Sequence, residues 1–174
     1  MRNLSGPIKV LFILIIIFFI AQAIYVHVVL KSDFDIVGLE TADRADGGMM
    51  LYTWWTKGNN GIRVIHQAWI NTIVDFLFIV AYVVLIRIIS RNLLQPETSF
   101  TLNRLLRFNM RLAIVVGVLD IFENIILMYN LTNYYPGEYY VSSMYPSLVK
   151  WFLVVWIIVV WIIAIVRGKL KSSR

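Results

Sequence analysis

The sequence predicts an all-α membrane protein, a four-transmembrane-helix bundle with both termini cytoplasmic. Three observations predict it. The chain of 174 residues is 60% hydrophobic and only 15% charged, an apolar excess that a water-surrounded core of this size cannot bury. Four runs reach the ~20 apolar residues needed to cross ~30 Å of hydrocarbon. Lys and Arg crowd the flanks on one side of those runs, which orients them.

The runs fall at about 8–30, 68–88, 112–131 and 148–166, within a single transmembrane domain covering 1–174. The first begins like a signal peptide: Arg2 and Lys9 precede an apolar stretch, and Ala21-Gln22-Ala23 resembles a small-residue cleavage site. Apolar character nevertheless continues through Ile24, Tyr25 and Val26 to Leu30. That length fits a retained span.

Orientation comes from the flanks. Arg2 and Lys9 precede the first run. Arg87, Arg91, Arg104, Arg107 and Arg111 lie in or beside the second connection, and Arg167, Lys169, Lys171 and Arg174 follow the last run. Eleven of the 16 basic residues thus share one side, which is cytoplasmic by the positive-inside rule. The expected location is the cell membrane, multi-pass. The net charge of +6 is explained by this topology, so no nucleic-acid partner is expected. With no Cys in the chain, disulfides, thiolate nucleophiles and Cys-based metal sites are excluded.

The external connection 31–67 carries an acidic stretch (Asp33, Asp35, Glu40, Asp43, Asp46), then Met49, Met50, Leu51, Tyr52, Trp54 and Trp55. The default reading is an aromatic segment resting at the membrane interface. The sharper one is a lid over an outward-facing cavity. Asn60 is a cap candidate for a long second helix, and Thr98 or Ser99 for an extended third one. The second external connection is rich in Tyr, including Tyr129, Tyr134, Tyr135, Tyr139, Tyr140 and Tyr145, and reads as an aromatic belt. Asn130-Leu131-Thr132 matches a glycosylation sequon but lies against the membrane and is discounted. The fourth run, with Trp151, Trp156 and Trp161, reads as the most lipid-facing helix.

The candidate functional residues are the polar ones inside the runs. At 100° per residue, Asp120, Glu123 and Asn124 share one face of the third helix, and Ala113 and Gly117 extend that face with small side chains that admit a close neighbour. On the second helix Asn71, Asp75, Phe78 and Tyr82 follow the i, i+4, i+7, i+11 rule. Arg63 and Gln67 continue roughly along that face, and the first run contributes Gln22. At ~1.5 Å per residue, Gln22, Asp75, Asp120, Glu123 and Asn124 fall within about one helical turn in depth. His27, Asn71 and Lys150 form a tier one turn nearer the outside.

An isolated charge at the centre of a membrane helix costs roughly 2.5–3.5 kcal/mol on the insertion scale. Asp75, Asp120 and Glu123 should therefore turn inward and find compensation. Either some are protonated, or a cation sits among them: a metal ion, sodium, a shared proton, a ligand amine, or Arg63 or Lys150 reaching down from the outer tier. Carboxylates suit a divalent cation such as Mg²⁺, Ca²⁺ or Mn²⁺, with Asp75, Asp120 and Glu123 as the ligands if one is bound. His27 and His66 lack the paired spacing of a metal motif.

The stretch Asp75-Phe76-Leu77-Phe78-Ile79-Val80-Ala81-Tyr82 and the later Asp120, Glu123 and Asn124 resemble a group of uncharacterised small bacterial membrane proteins. Those have a D-F/Y-L-F-I-x-A-Y second helix and a D-x-x-E-N third helix. The resemblance implies four spans and singles out the same residues; it implies no particular chemistry.

Three functions follow as expectations. The first is an outward-facing acidic pocket that binds, or processes, a lipid head group, small polar molecule or cation. There Asp75, Asp120 and Glu123 are the acid–base candidates, and Gln22, Asn71, Tyr82, Asn124, Arg63 and Lys150 are binding residues. The second is an H⁺- or Na⁺-coupled transporter or channel subunit, which with four helices calls for a homo-oligomer. The third is a scaffold protein whose acids serve as interhelical packing. The sequence shows no P-loop, dinucleotide fingerprint, H-E-x-x-H or G-x-S-x-G motif.

Overall fold

The computed structural model describes residues 36–57, 59–95, 97–133 and 140–172, with scattered positions between 10 and 28. Of the expected first span only those scattered positions are described, and Gln22 and His27 are not among them. Every regular element among the described residues is helical. They are α1 (Ile36–Thr41), α2 (Arg44–Thr56), α3 (Asn59–Leu94), α4 (Phe100–Thr132) and α5 (Met144–Ser172). Three segments are long and apolar enough to cross a membrane: Ile62–Leu94, Phe100–Thr132 and Met144–Gly168. They mark the chain as a membrane protein. At ~1.5 Å per residue, α3 with its 36 residues and α4 with its 33 both outrun a ~30 Å hydrocarbon layer. Each therefore tilts or projects beyond it.

Helix α4 lies between α3 and α5 and packs along both, whereas α3 and α5 meet each other sparsely. The sequence of α4 shows why. Leu102, Leu106, Asn109, Leu112, Ala113, Val116, Gly117, Asp120, Glu123 and Asn124 are all buried. They recur at three- and four-residue steps, which line up on one side of a helix. Gly117 lets α3 approach, as its small size predicts: a methyl placed there would stand 2.7 Å from Val83 Cγ2. The opposite surfaces are apolar and open. Phe152, Val155, Ile162 and Ile163 on α5 each expose half or more of their area, which lipid, not water, accommodates.

Burial is organised in layers along the bundle. One layer joins Leu112, Ala113, Val116, Ile86 and Ile157. Another, toward the α3–α4 turn, joins Leu102, Leu106, Val160 and Ala164. There Trp161 Nε1 donates to Ser90 Oγ at 2.9 Å. At this end the expected side-chain cap of α4 does not form. Ser99 occupies the N-cap position without a side-chain hydrogen bond. The Glu97 carboxylate instead accepts from the Thr98 and Ser99 amides at 2.9 and 2.7 Å, since a charged acceptor satisfies free amides better than a hydroxyl.

The opposite end is roofed. The segment 36–56, expected at the membrane interface, folds into α1 and α2, which pack on the end of the bundle. Leu39, Leu51 and Trp54 are buried there against Val64, Ile65, Ala68, Leu127 and Leu131. Trp54 removes a large apolar area from solvent by packing among these aliphatic side chains. Met49 and Tyr52 stay exposed. Asp43 starts α2: its Oδ1 accepts from the amides of Ala45 and Asp46 at 2.8 and 2.9 Å, the usual office of an N-cap.

The carbonyls at the end of α1 are answered by hydroxyls from the chain entering α5. Tyr140 donates to Leu39 O at 2.5 Å, Ser142 to Ala42 O at 2.8 Å, and Ser143 to Glu40 O at 2.9 Å. Tyr140 is therefore not part of an aromatic belt. It is buried, with its ring against Gly47, where any Cβ would overlap it. Burial and the nearby Glu40 and Asp43 charges push its hydroxyl up to about 12. Asn130 is buried as well. Its amide nitrogen donates to Val141 O at 2.8 Å and its carbonyl accepts from Val141 N at 2.9 Å, so the sequon is occupied structurally.

Candidate functional site

Between the roof layer and the Val116 layer lies a polar layer, and beside it a cavity of about 430 Å³. Its polar lining comes from Glu40 on α1, from Asn71, Thr72, Asp75 and Tyr82 on α3, from Asp120 and Asn124 on α4, and from Lys150 on α5. The four α3 residues placed on one face by their spacing, Asn71, Asp75, Phe78 and Tyr82, all reach it. Its apolar lining is Ile86, Val116, Leu127, Trp151 and Val154, with Phe78 edge-on to Tyr82 at 5.5 Å.

Lys150 organises the acids. Its Nζ donates to Asp120 Oδ1 at 2.8 Å and lies 2.8 Å from Glu123 Oε2. The side chain, 8% exposed, reaches both carboxylates. Among the cations that could serve the acids, a resident lysine is thus the one in place. A long aliphatic stem makes this possible, because it packs as an apolar chain while delivering its charge at the tip. Lys150 also stands 5.4 Å from the ring centre of Trp151, in reach of a cation–π attraction.

The remaining oxygens are held separately. Asp120 Oδ2 accepts from the Tyr82 hydroxyl at 2.8 Å. Asp75 Oδ2 accepts from the Asn124 amide at 2.7 Å. Asp75 therefore faces Asn124, while Asp120 and Glu123 face Lys150. The three acids do not converge as the ligand set of a divalent cation, and no group of three such side chains with that geometry occurs among the described residues. The point where Asp120 and Glu123 do converge is filled by an ammonium, so the expected divalent-cation site does not fit this arrangement. Arg63 is exposed near the start of α3 and does not line the cavity. Gln22 lies outside the described residues.

The structure adds a fourth acid. Glu40, from the acidic stretch of the first connection, reaches the cavity and comes within hydrogen-bonding distance of Glu123. Glu123 is fully buried, and neither of its oxygens receives a well-directed hydrogen bond. Two ionised carboxylates have no proton to offer one another, so in this contact Glu40 keeps its proton and directs it at the Glu123 carboxylate. Burial foremost, then the Glu123 charge, raises Glu40 from 4.5 to about 9, against the opposing pull of Lys150. Glu40 gave one sequence signal: it is the acid flanked by Ile36, Val37 and Leu39, whereas Asp43 and Asp46 sit in a polar stretch and stay exposed. Thr72 and Trp151 also line the cavity; Thr72 gave no signal, since its hydroxyl returns to Ala68 O at 2.9 Å.

No protein-family model, curated protein or solved structure matches this chain at a significant level. The site's chemistry must be read from its own residues.

Proposed function

We propose that this is a four-span protein of the cell membrane, with both termini cytoplasmic, whose outward-facing acidic cavity binds a lipid head group, small polar molecule or cation. The observation that carries this reading is the imbalance around the cavity: Glu40, Asp75, Asp120 and Glu123 against Lys150 alone among the described residues. Interhelical packing explains the Lys150 cluster, which is internally paired. It does not explain a cavity of about 430 Å³ beside that cluster, a volume within the ~300–1,000 Å³ range of small-molecule pockets. The positive-inside asymmetry supports the orientation, and the roof of α1 and α2 then covers the outer end.

The reading is tested by retention. Wild type and Val154→Trp, which fills the cavity from α5, are purified in nanodiscs and examined by native mass spectrometry. A small molecule retained by wild type and lost from a folded Val154→Trp supports a binding site. Absence of any retained or added ligand from wild type refutes it. Because the chain has no Cys, single cysteines introduced at Ser5, Asn92 and Ser172 report topology by membrane-impermeant labelling. All three should be protected in intact cells.

A second reading draws on the Glu40–Glu123 pair. A buried carboxyl proton in a membrane protein is also what an H⁺-coupled subunit requires, and a homo-oligomer would complete such a pathway. Proton flux in proteoliposomes that disappears in Glu123→Gln would favour it over binding alone.

A further inference from the structure

We infer that the occupant of the cavity is a protonated amine carried on an apolar body, with Asp75 as its counter-ion. This deepens the binding reading above and rests on it.

The first argument is an inventory of donors and acceptors. An anionic ligand, such as a phosphate, needs a cation or free donors. The cation lining the cavity, Lys150, is already held by Asp120 and Glu123 at 2.8 Å each. The Tyr82 hydroxyl is spent on Asp120, and one hydrogen of the Asn124 amide on Asp75. What remains on offer is anionic acceptor capacity and neutral amide hydrogens, with no uncommitted cation in the lining. Asp75 accepts a hydrogen bond from a neutral amide, that of Asn124, and no cation lies against it among the described residues. One turn earlier on the same face, Asn71 Oδ1 is buried with no hydrogen-bond partner. Unanswered acceptors in a buried site call for a ligand that only donates. An ammonium supplies up to three donors, a positive charge and no acceptor.

The second argument concerns the rest of the lining. Phe78, Ile86, Val116, Leu127, Trp151 and Val154 make most of the wall apolar. A hydrated inorganic ion has no use for such a wall, and it would seek six or more oxygens if it were Ca²⁺. An alkyl or aryl body gains from it at every carbon buried. Trp151 and Tyr82 also offer ring surface near the charge, which favours cationic amines. The lining thus combines carboxylates with a largely apolar wall, the complement of an amphiphilic amine. That chemistry has two sources, a membrane lipid with an amino head group or a free amine from the outer solution.

The test uses the full chain in phosphatidylcholine nanodiscs and three probes of equal chain length: dodecylamine, dodecanol and dodecyl phosphate. Saturable binding is measured by native mass spectrometry at neutral pH. Dodecylamine should bind at least tenfold more tightly than either other probe. Asp75→Asn, verified as folded by its helical circular dichroism, should lower dodecylamine affinity at least tenfold and leave dodecanol unaffected. The comparison of probes on wild type stands even if that variant fails to fold. Dodecyl phosphate or dodecanol binding as well as the amine would overturn the assignment of charge while leaving a binding cavity intact. Unchanged amine affinity in a folded Asp75→Asn would overturn the counter-ion. Competition by phosphatidylethanolamine added to the disc would identify a lipid source, and competition by soluble 2-phenylethylamine a free one; each supports the ammonium site.

Discussion

Glu40 couples the roof of the bundle to pH, and the size of the effect follows from counting protons. With α1 docked, Glu40 faces Glu123 and Asp120 on α4 and Lys150 on α5, and it holds its proton up to about pH 9. With α1 undocked, the carboxyl is solvated and returns to its ordinary 4.5. The folded value is the raised one. The stabilisation of the docked state is therefore fully present below about 4.5 and is lost progressively as pH rises through about 9. Inside that window docking takes up one proton, so it weakens by up to ~1.4 kcal/mol per pH unit. From about pH 6 to about pH 8 the docking equilibrium should fall by about 3 kcal/mol, on the order of a hundredfold. Hydrogen exchange of peptides covering α1 and α2, corrected for intrinsic rate, reads this directly as a loss of protection. Glu40→Gln fixes the neutral form and should abolish the slope while keeping α1 docked. A wild-type roof whose protection does not change across the window, or a slope that persists in Glu40→Gln, would refute the proton held by Glu40.

Other perturbations probe the layers around it. Lys150→Met leaves Asp120 and Glu123 buried without a cation and should cost about 3–5 kcal/mol in detergent unfolding; adding Asp120→Asn and Glu123→Gln should recover most of it. Tyr140→Phe leaves Leu39 O without its donor, at a cost of about 1–3 kcal/mol, visible as faster exchange confined to α1 and α2. Gly117→Val drives side-chain atoms into Val83 and should destabilise by about 1–3 kcal/mol, with Val83→Ala partly rescuing the thermal midpoint. Asn130→Ala should lower stability with no change in mass after expression in a glycosylating host, because both its amide groups are already bonded to Val141.

The long helices were legible in the sequence because apolar length is a local property. The facing of α3 and α4 was legible for a related reason: a fixed 100° step carries Asn71, Asp75, Phe78 and Tyr82 to one side without knowledge of the partner helix. The identity of the partners was not. Asp120 and Glu123 share a face with Asn124, yet they pair with Lys150 while Asn124 turns to Asp75. That choice depends on where α5 stands, which no spacing encodes. Backbone spacing sets Lys150 about one turn above the acids, whereas its long stem carries the ammonium down to Asp120 and Glu123. Glu40 was hidden for a different reason. It belongs to a short helix whose position is set by donors about a hundred residues away, Tyr140, Ser142 and Ser143.

This division bears on the chemistry. The internally satisfied part of the cluster, Lys150 with Asp120, Glu123 and Tyr82, spans three helices and holds them in register; removing any one member leaves a buried charge or hydroxyl without its partner. Asp75 and Asn71 are held differently. Asp75 is fixed by one neutral amide and Asn71 Oδ1 by none, so their removal breaks little of the packing. Residues retained in an apolar bundle for structure should be costly to lose, and residues serving a ligand should be cheap to lose without it. Asp75→Asn and Asn71→Leu should therefore melt within about 1 kcal/mol of wild type when the cavity is empty, and they should lack the stabilisation that added dodecylamine gives the wild-type protein. If Asp75→Asn instead destabilises the ligand-free protein as much as Lys150→Met does, the carboxylate is part of the frame, and the separation of frame from site drawn on these contacts fails.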